Sequence, residues 1–289
     1  MRVDPTVLDD EQRARLSGTR FGPIVQLGET PSTNLEAMGR ARTGADEGLV
    51  VVADYQTAGR GRFDRRWESP PGMSLLASVL LRPSPADLPA ARLYLAMAAV
   101  SVAVTEGAVA VSGARLGLKW PNDVVAAGEG AGAKVAGVLA ETAGVPVPGI
   151  VVGFGLNVGW APAGMEATCL EALAGHPVER GDVLVESLLA LDRLYGSWDE
   201  VADRYRRSCT TLGREVVVRL GTGPGPGTPS GPGPVPGPAA QGEEVRGVAV
   251  DIDLDGRLVV RTSSGERVAV AAGDVFHARS APPSNLSGQ

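Results

Sequence analysis

Between Gly221 and Ala240 the chain places seven glycines and seven prolines in twenty residues. Such a run has almost nothing to bury and cannot repay the entropy of ordering, so it predicts disorder. A folded core must therefore come from the sequence on either side, and the two sides differ in pattern. Upstream, apolar stretches alternate with segments of helical period. Downstream, and in a short piece just before it, strands are brief and alternating: Glu215 to Leu220, Val245 to Asp253, Arg257 to Thr262 and Arg267 to Ala271. Asp255-Gly256 and Ser264-Gly265 are hairpin signals between them. The organisation that follows is a lead-in over 1–20, a large unit over 21–212, a small β-barrel unit over 213–280 with 221–241 inserted between two of its strands, and a tail over 281–289. The alternative for the Gly/Pro run is a polyproline ligand for an aromatic groove on another protein, which its frequent glycine disfavours.

In the large unit, Phe21 to Gly28 reads as a first strand. Thr33 and Glu36 have capping-box spacing, with Leu35 and Met38 starting an apolar face, so a helix should run from Asn34 to Arg42. Its N-terminus suits an anion or a polar ligand head; a plain N-cap is the other reading. Strands follow at Gly48 to Asp54 and Met73 to Leu81, then a long buried helix from Leu88 to Val109. Leu116 to Trp120 is a strand that Pro121-Asn122-Asp123 turns. Ala126 to Ala133 is a glycine-rich hairpin loop, and Lys134 to Thr142 and Ile150 to Val158 are strands. Short connections favour antiparallel pairing, which would gather Lys119, Asn122, Asp123, Lys134 and Asn157. Asp182 to Tyr195 and Trp198 to Ser208 are amphipathic helices.

The net charge is −6, which argues against general nucleic-acid binding. No apolar run reads as a bilayer span, and the first residues lack a signal-peptide core, so a cytoplasmic protein is expected. Cys169 and Cys209 have no metal or redox spacing. His176 and His277 stand alone and read as surface or turn residues, which makes a zinc site or a Ser-His-Asp triad improbable.

Basic character is concentrated in Ala58-Gly59-Arg60-Gly61-Arg62-Phe63-Asp64-Arg65-Arg66-Trp67. With no apolar period and no cap, this segment reads as a mobile loop able to hold an anion with forked guanidinium groups and backbone N–H donors. An RNA-binding arginine-glycine segment is the bland alternative, poor for a single copy in an acidic chain. Gly153-Phe154-Gly155 is not a dinucleotide fingerprint, since Val158 stands where the third glycine belongs.

Gly59-Arg60-Gly61-Arg62 with Arg65 and Trp67 resembles the signature loop of biotin–protein ligases. So do Ser32-Thr33-Asn34, Lys119-Trp120-Pro121-Asn122-Asp123, Lys134-Val135-Ala136-Gly137-Val138-Leu139 and Gly153-Phe154-Gly155-Leu156-Asn157, in the family's order. The resemblance spans about residues 20–280 and implies an α+β fold. That fold is a mixed sheet flanked by helices, like the catalytic fold of class II aminoacyl-tRNA synthetases, followed by a small SH3-like barrel. It implies two steps: biotin and ATP give biotinyl-5′-AMP, and a lysine of a biotin carboxyl carrier domain, from an acyl-CoA or pyruvate carboxylase, takes the biotinyl group. It also implies Mg²⁺ on the ATP phosphates. A start so close to the first catalytic strand implies no DNA-binding repressor domain.

By the same resemblance, Ser32, Thr33, Asn34, Gln56, Arg60, Gly61, Arg62, Lys134 and Gly137 line the biotin side. Arg60, Arg62, Arg65, Trp67, Lys119, Asn122, Lys134 and Asn157 line the ATP side, and Arg279 resembles a C-terminal arginine that reaches the nucleotide. Lys134, Arg60 and Arg62 are the catalytic candidates. Asp123 would orient the acceptor lysine or accept its proton; otherwise it caps its own turn. Taken without the motif, Lys134 would read as an edge-strand lysine. A lipoate–protein ligase with the same acyl-adenylate chemistry, and a non-enzymatic scaffold, are the competing readings.

Overall fold

A computed structural model describes residues 7–128, 131–144, 149–220, 244–271 and 273–277. Two sheets organise them. The first has strands β1 (Ile24–Thr30), β2 (Val50–Gln56), β3 (Ser74–Leu81), β4 (Leu116–Lys119), β5 (Asp123–Ala126), β6 (Lys134–Ala143) and β7 (Gly149–Asn157), in the order β1-β2-β3-β7-β6-β5-β4. Only β1 and β2 run parallel; the remaining pairs are antiparallel, so the sheet is mixed. The second is antiparallel and SH3-like, with β8 (Glu215–Arg219), β9 (Glu244–Ile252), β10 (Leu258–Arg261), β11 (Arg267–Val270) and β12 (Asp274–His277) in the order β11-β10-β9-β8-β12. The helices are α1 (Asp10–Arg15), α2 (Thr33–Arg42), α3 (Tyr94–Ser112), α4 (Leu170–Ala174), α5 (Arg180–Leu194) and α6 (Trp198–Ser208).

Strand alternation explains how the large sheet is covered. Along β3, Leu75, Ala77, Val79 and Leu81 join the main core with α3, α5 and α6. Along β7, Ile150, Val152, Phe154 and Leu156 do the same. The opposite parity faces α2, where Ala37, Ala41, Leu49, Val51, Leu80, Ala143 and Val151 form a second cluster. That cluster covers only one end of the face. Further along, the same parity reads Ser78, Leu76 and Ser74 on β3 and Gly153, Gly155 and Asn157 on β7, paired in register. Two glycines on neighbouring pleats leave a hollow where a sheet would normally carry side chains.

Several expectations change. β1 begins at Ile24, after a cis Gly22–Pro23 bond. The residues before it are not a detached leader: Val7, Leu8 and Leu16 are buried in the main core. The capping box at Thr33 and Glu36 does not form. Ser32 is the N-cap without a side-chain bond, the Thr33 hydroxyl goes to Gln56, and Glu36 pairs with Arg40. Leu35 is exposed, because the buried face of α2 is Thr33, Asn34, Ala37 and Ala41. β5, α4 and β12 are elements the sequence pattern does not reveal; β5 is short and follows the Pro121 turn directly, so the hairpin loop begins only after Ala126. Lys134 is not on an edge strand, since β6 lies between β5 and β7. The segment Ala90–Ser112 is long and apolar enough to cross a bilayer, contrary to the reading of its sequence, but α3 is the buried central helix of the core.

β8 and β9 pair with Arg219 opposite Glu244, so the Gly/Pro run joins adjacent strands of the small sheet. That run and Arg279 lie outside the described residues.

Candidate active site

The hollow on the large sheet is a cavity of about 790 Å³. Its floor is Gly153 and Gly155 of β7 with Gly137 of β6. The absent side chains are needed. A Cβ on Gly155 would lie 2.4 Å from the Trp67 indole, and one on Gly153 would lie 1.9 Å from Asn34 Oδ1. Trp67, at the end of the arginine loop, therefore rests its ring on the bare backbone of the floor.

One end of the cavity is a small polar cluster at the start of α2. Thr33 donates its backbone N–H (2.8 Å) and its hydroxyl (3.1 Å) to Gln56 Oε1. Ser78 Oγ lies 2.8 Å from Thr33 Oγ1 and donates to Asn34 Oδ1 at 2.6 Å. Asn34 Nδ2 donates to Leu139 O and, at 2.8 Å, to Glu141 Oε2. Ser32, 2% exposed, lines the same end.

The arginine loop leaves β2 and folds as a narrow hairpin. Arg60 and Arg66 are bridged, Gly61 N–H donates to Arg65 O (2.7 Å) and Trp67 N–H to Gly59 O (3.0 Å). Phe63 sits at φ 55°, outside the usual range for a bulky residue, with the Arg62 guanidinium 4.7 Å from its ring centre. Arg60 reaches Glu141 (3.1 Å) and Arg62 donates to Asn122 Oδ1 (3.3 Å). Arg65 also lines the cavity.

At the far end, Lys134 Nζ is 2.7 Å from Asp123 Oδ1 and 5.6 Å from the Trp67 ring centre. Asp123 and Lys134 are thus an ion pair. Register explains the meeting: Asp123 stands opposite Gly137, whose missing side chain leaves Lys134 room to fold across. Asn122 is tied to β6 in both directions through Val138, and Lys119 lines the wall. The backbone of Lys134 is gripped by a strap, its N–H donating to Glu166 O and its carbonyl accepting from Thr168 N. Asn157, 2% exposed, donates to Thr168 O, while its Oδ1 is buried without a hydrogen-bond partner among the described residues.

The fold therefore gathers around one cavity the described residues that the sequence motifs single out. Over 290 residues, covering 96% of this chain and 98% of the other, the chain is 35% identical to the biotin–[acetyl-CoA-carboxylase] ligase of Mycobacterium tuberculosis. The chain belongs to the biotin–protein ligase family. It is an enzyme, a biotin ligase. The biotin/lipoate A/B protein ligase family model matches residues 28–157, and the biotin protein ligase C-terminal domain model matches 239–278. The biotin–[acetyl-CoA-carboxylase] ligase of Paracoccus denitrificans is 32% identical over 267 residues, 86% of this chain and 98% of that one. A structure described as the Aquifex aeolicus biotin protein ligase in complex with biotin and ATP superposes with a TM-score of 0.69 at 25% identity, covering 89% of this chain and all (100%) of that one.

In this ligase the small sheet also braces the site. The Trp120 indole donates to Gly256 O (2.9 Å) in the β9–β10 turn, and Arg206 of α6 donates to Ile252 O (2.8 Å). Tyr205 donates to Pro121 O at 2.7 Å; burial pushes its pKa well above the usual value, so it stays a donor. Gly273 and Val275 reach the cavity wall. Sequence reasoning did not find Ser78, Glu141, Trp160, Met165 or Glu166. Ser78 and Glu141 carry a faint signal, being polar residues inside apolar strands.

Proposed function

We propose that the enzyme activates biotin with ATP as biotinyl-5′-AMP and passes the biotinyl group to a lysine of a biotin carboxyl carrier domain, in the cytoplasm. The observation that carries this reading is the arrangement of this cavity: a neutral hydrogen-bonding cluster at one end, a side-chain-free floor, and Lys134, Arg60, Arg62 and Lys119 around the rest. The polar end suits a ureido ring, which both donates and accepts. Lipoate's ring does neither well, and buried polar groups left unpaired reject such an analogue strongly.

In the first step a biotin carboxylate oxygen attacks the α-phosphorus of ATP, and the bond to pyrophosphate breaks. Two anions must approach; unit charges about 4 Å apart repel by roughly 4 kcal/mol at an effective dielectric near 20. Lys134, Arg60 and Arg62 supply fixed positive charge where negative charge builds, which favours the transition state over the ground state. Arg65 and Trp67 would hold the nucleotide with Asn122 and Lys119. Mg²⁺ on the phosphates would neutralise further charge. It needs few protein ligands when phosphates supply them, and the unpartnered Asn157 Oδ1 fits that demand.

The mixed anhydride must be kept from water, which the arginine loop and Trp67 do by covering it. In the second step the acceptor lysine attacks the acyl carbon as a neutral amine and AMP leaves. Asp123, ion-paired with Lys134 in the resting enzyme, would take the proton once Lys134 turns to the adenylate.

Pyrophosphate release measured separately with biotin and with lipoate tests the reading. Release with biotin alone is expected. Release with lipoate alone would reassign the substrate, and none with either acid would exclude the adenylation chemistry.

A further inference from the structure

Glu141 takes no part in the chemistry above, yet both its oxygens are committed. Oε2 accepts from Asn34 Nδ2 at 2.8 Å, at the start of α2. Oε1 accepts from Arg60 Nη1 at 3.1 Å, in the arginine loop. The carboxylate stands on β6, on the same strand face as Leu139 and Gly137, and its side chain is 19% exposed. A carboxylate beside a site for two anions is an electrostatic liability, and it calls for a reason.

The polar contacts form one path. Gln56, the last residue before the loop, holds Thr33; Thr33 meets Ser78; Ser78 holds Asn34; Asn34 holds Glu141; and Glu141 holds Arg60, back inside the loop. Members of this path are deeply buried: Ser78 is 0% exposed, and Thr33 and Asn34 are each 4%. Asn34 has its carbonyl taken by Ser78 and its amide protons by Leu139 and Glu141, so its side chain braces the head-group pocket from behind. An exposed Arg–Glu pair alone would contribute little. Here the second oxygen is anchored in buried structure, which fixes the carboxylate's rotamer and lets it fix the arginine.

We propose that Glu141 is the positioning residue that ties the biotin head-group pocket to the arginine loop, so that the pocket is shaped and the loop is set over it by one carboxylate. This deepens the proposed function and rests on its assignment of the biotin end. Glu141 touches neither substrate nor reacting atoms in this account. Its loss therefore acts on biotin capture and on loop order before the chemical step.

The test compares wild type, Glu141→Gln and Glu141→Ala in full-length enzyme. Glu141→Ala is expected to raise the KM for biotin by about tenfold or more, the size expected for losing charge-assisted hydrogen bonds. The KM for ATP should change less than about threefold on the same scale, and the saturated rate of adenylation should fall by a smaller factor than the biotin KM rises, since Arg60 keeps its charge but loses its anchor. Glu141→Gln, which can still accept from Arg60, should fall between. Without any ligand, hydrogen exchange across Gly59 to Trp67 should be faster in both variants than in wild type. That arm needs no substrate, so it reads the latch even if pyrophosphate release by the wild type shows the substrate assignment to be wrong. If Glu141→Ala does not fold, the isosteric glutamine variant decides. An unchanged biotin KM together with unchanged loop exchange in the folded variants would overturn the proposal. So would a loss confined to the saturated rate.

Discussion

The floor of the cavity and the loop above it are built on opposite principles. The floor is defined by what is missing: Gly137, Gly153 and Gly155 sit in inner strands and are flanked by paired strands on both sides, with a helical layer packed behind them. The loop is defined by what it carries: Arg60, Arg62 and Arg65 on a hairpin held by a bridge and a few side-chain contacts. Strand backbone in the middle of a sheet opens only near the cost of global unfolding, while a loop with few buried apolar contacts opens locally. A site that must admit a ligand and then exclude water needs both behaviours. The difference places shape in the sheet and closure in the loop.

Adding a side chain to the floor is the most severe way to break this division. Gly153→Val would drive methyl groups into Asn34 and Ser78; biotin-dependent pyrophosphate release should vanish, with stability lower by about 1–3 kcal/mol as for overpacked cores. Denaturant melts and the pyrophosphate assay check this together, and an active, stable variant would mean that the floor is not rigid. Lys134→Ala should cut adenylate formation by about 10²–10³, as loss of a fixed charge-stabilising group does, with the melting curve unchanged; near-normal single-turnover formation would refute its role. Trp67→Ala sharpens the boundary, because that ring belongs to the loop yet lies on the floor. It should weaken ATP and biotin capture by about tenfold, since a buried aromatic contact is worth at least that much, and equal KM values for wild type and variant would separate the indole from the closed state. Tyr205→Phe leaves Pro121 O without its donor and should cost about 1–3 kcal/mol of stability, measured by urea unfolding, with a smaller effect on rate.

The same contrast explains what could be read from the chain alone. The loop was legible because arginines between glycines have no structural use in a core. The central helix and the hairpins at Asp255-Gly256 and Ser264-Gly265 were legible from period and turn chemistry, and the mixed sheet from the resemblance to biotin–protein ligases. Period alone did not show the floor: the family resemblance marked Gly137 and the motif holding Gly153 and Gly155, but glycine in an apolar strand ordinarily signals weakness or a bulge, and the hollow depends on register with Ser78 and Leu139 across two neighbouring strands. Glu141 was hidden for the same reason: its partners, Asn34 and Arg60, are distant in sequence. Thr33 and Glu36 misled, since local spacing suggested a capping box while a tertiary contact with Gln56 took the hydroxyl. Asp123 could be read as orienting the acceptor lysine or as capping its own turn, and its ion pair with Lys134, made from a position opposite Gly137, is a contact that neither reading contained.

Hydrogen exchange followed across the whole chain, with and without biotin and ATP, tests the division most directly. Strong new protection is expected, confined largely to Ala58 through Trp67, with β6 and β7 already protected and nearly unchanged. Exchange in the loop that is indifferent to both ligands, or protection that appears first in β6 and β7, would contradict it.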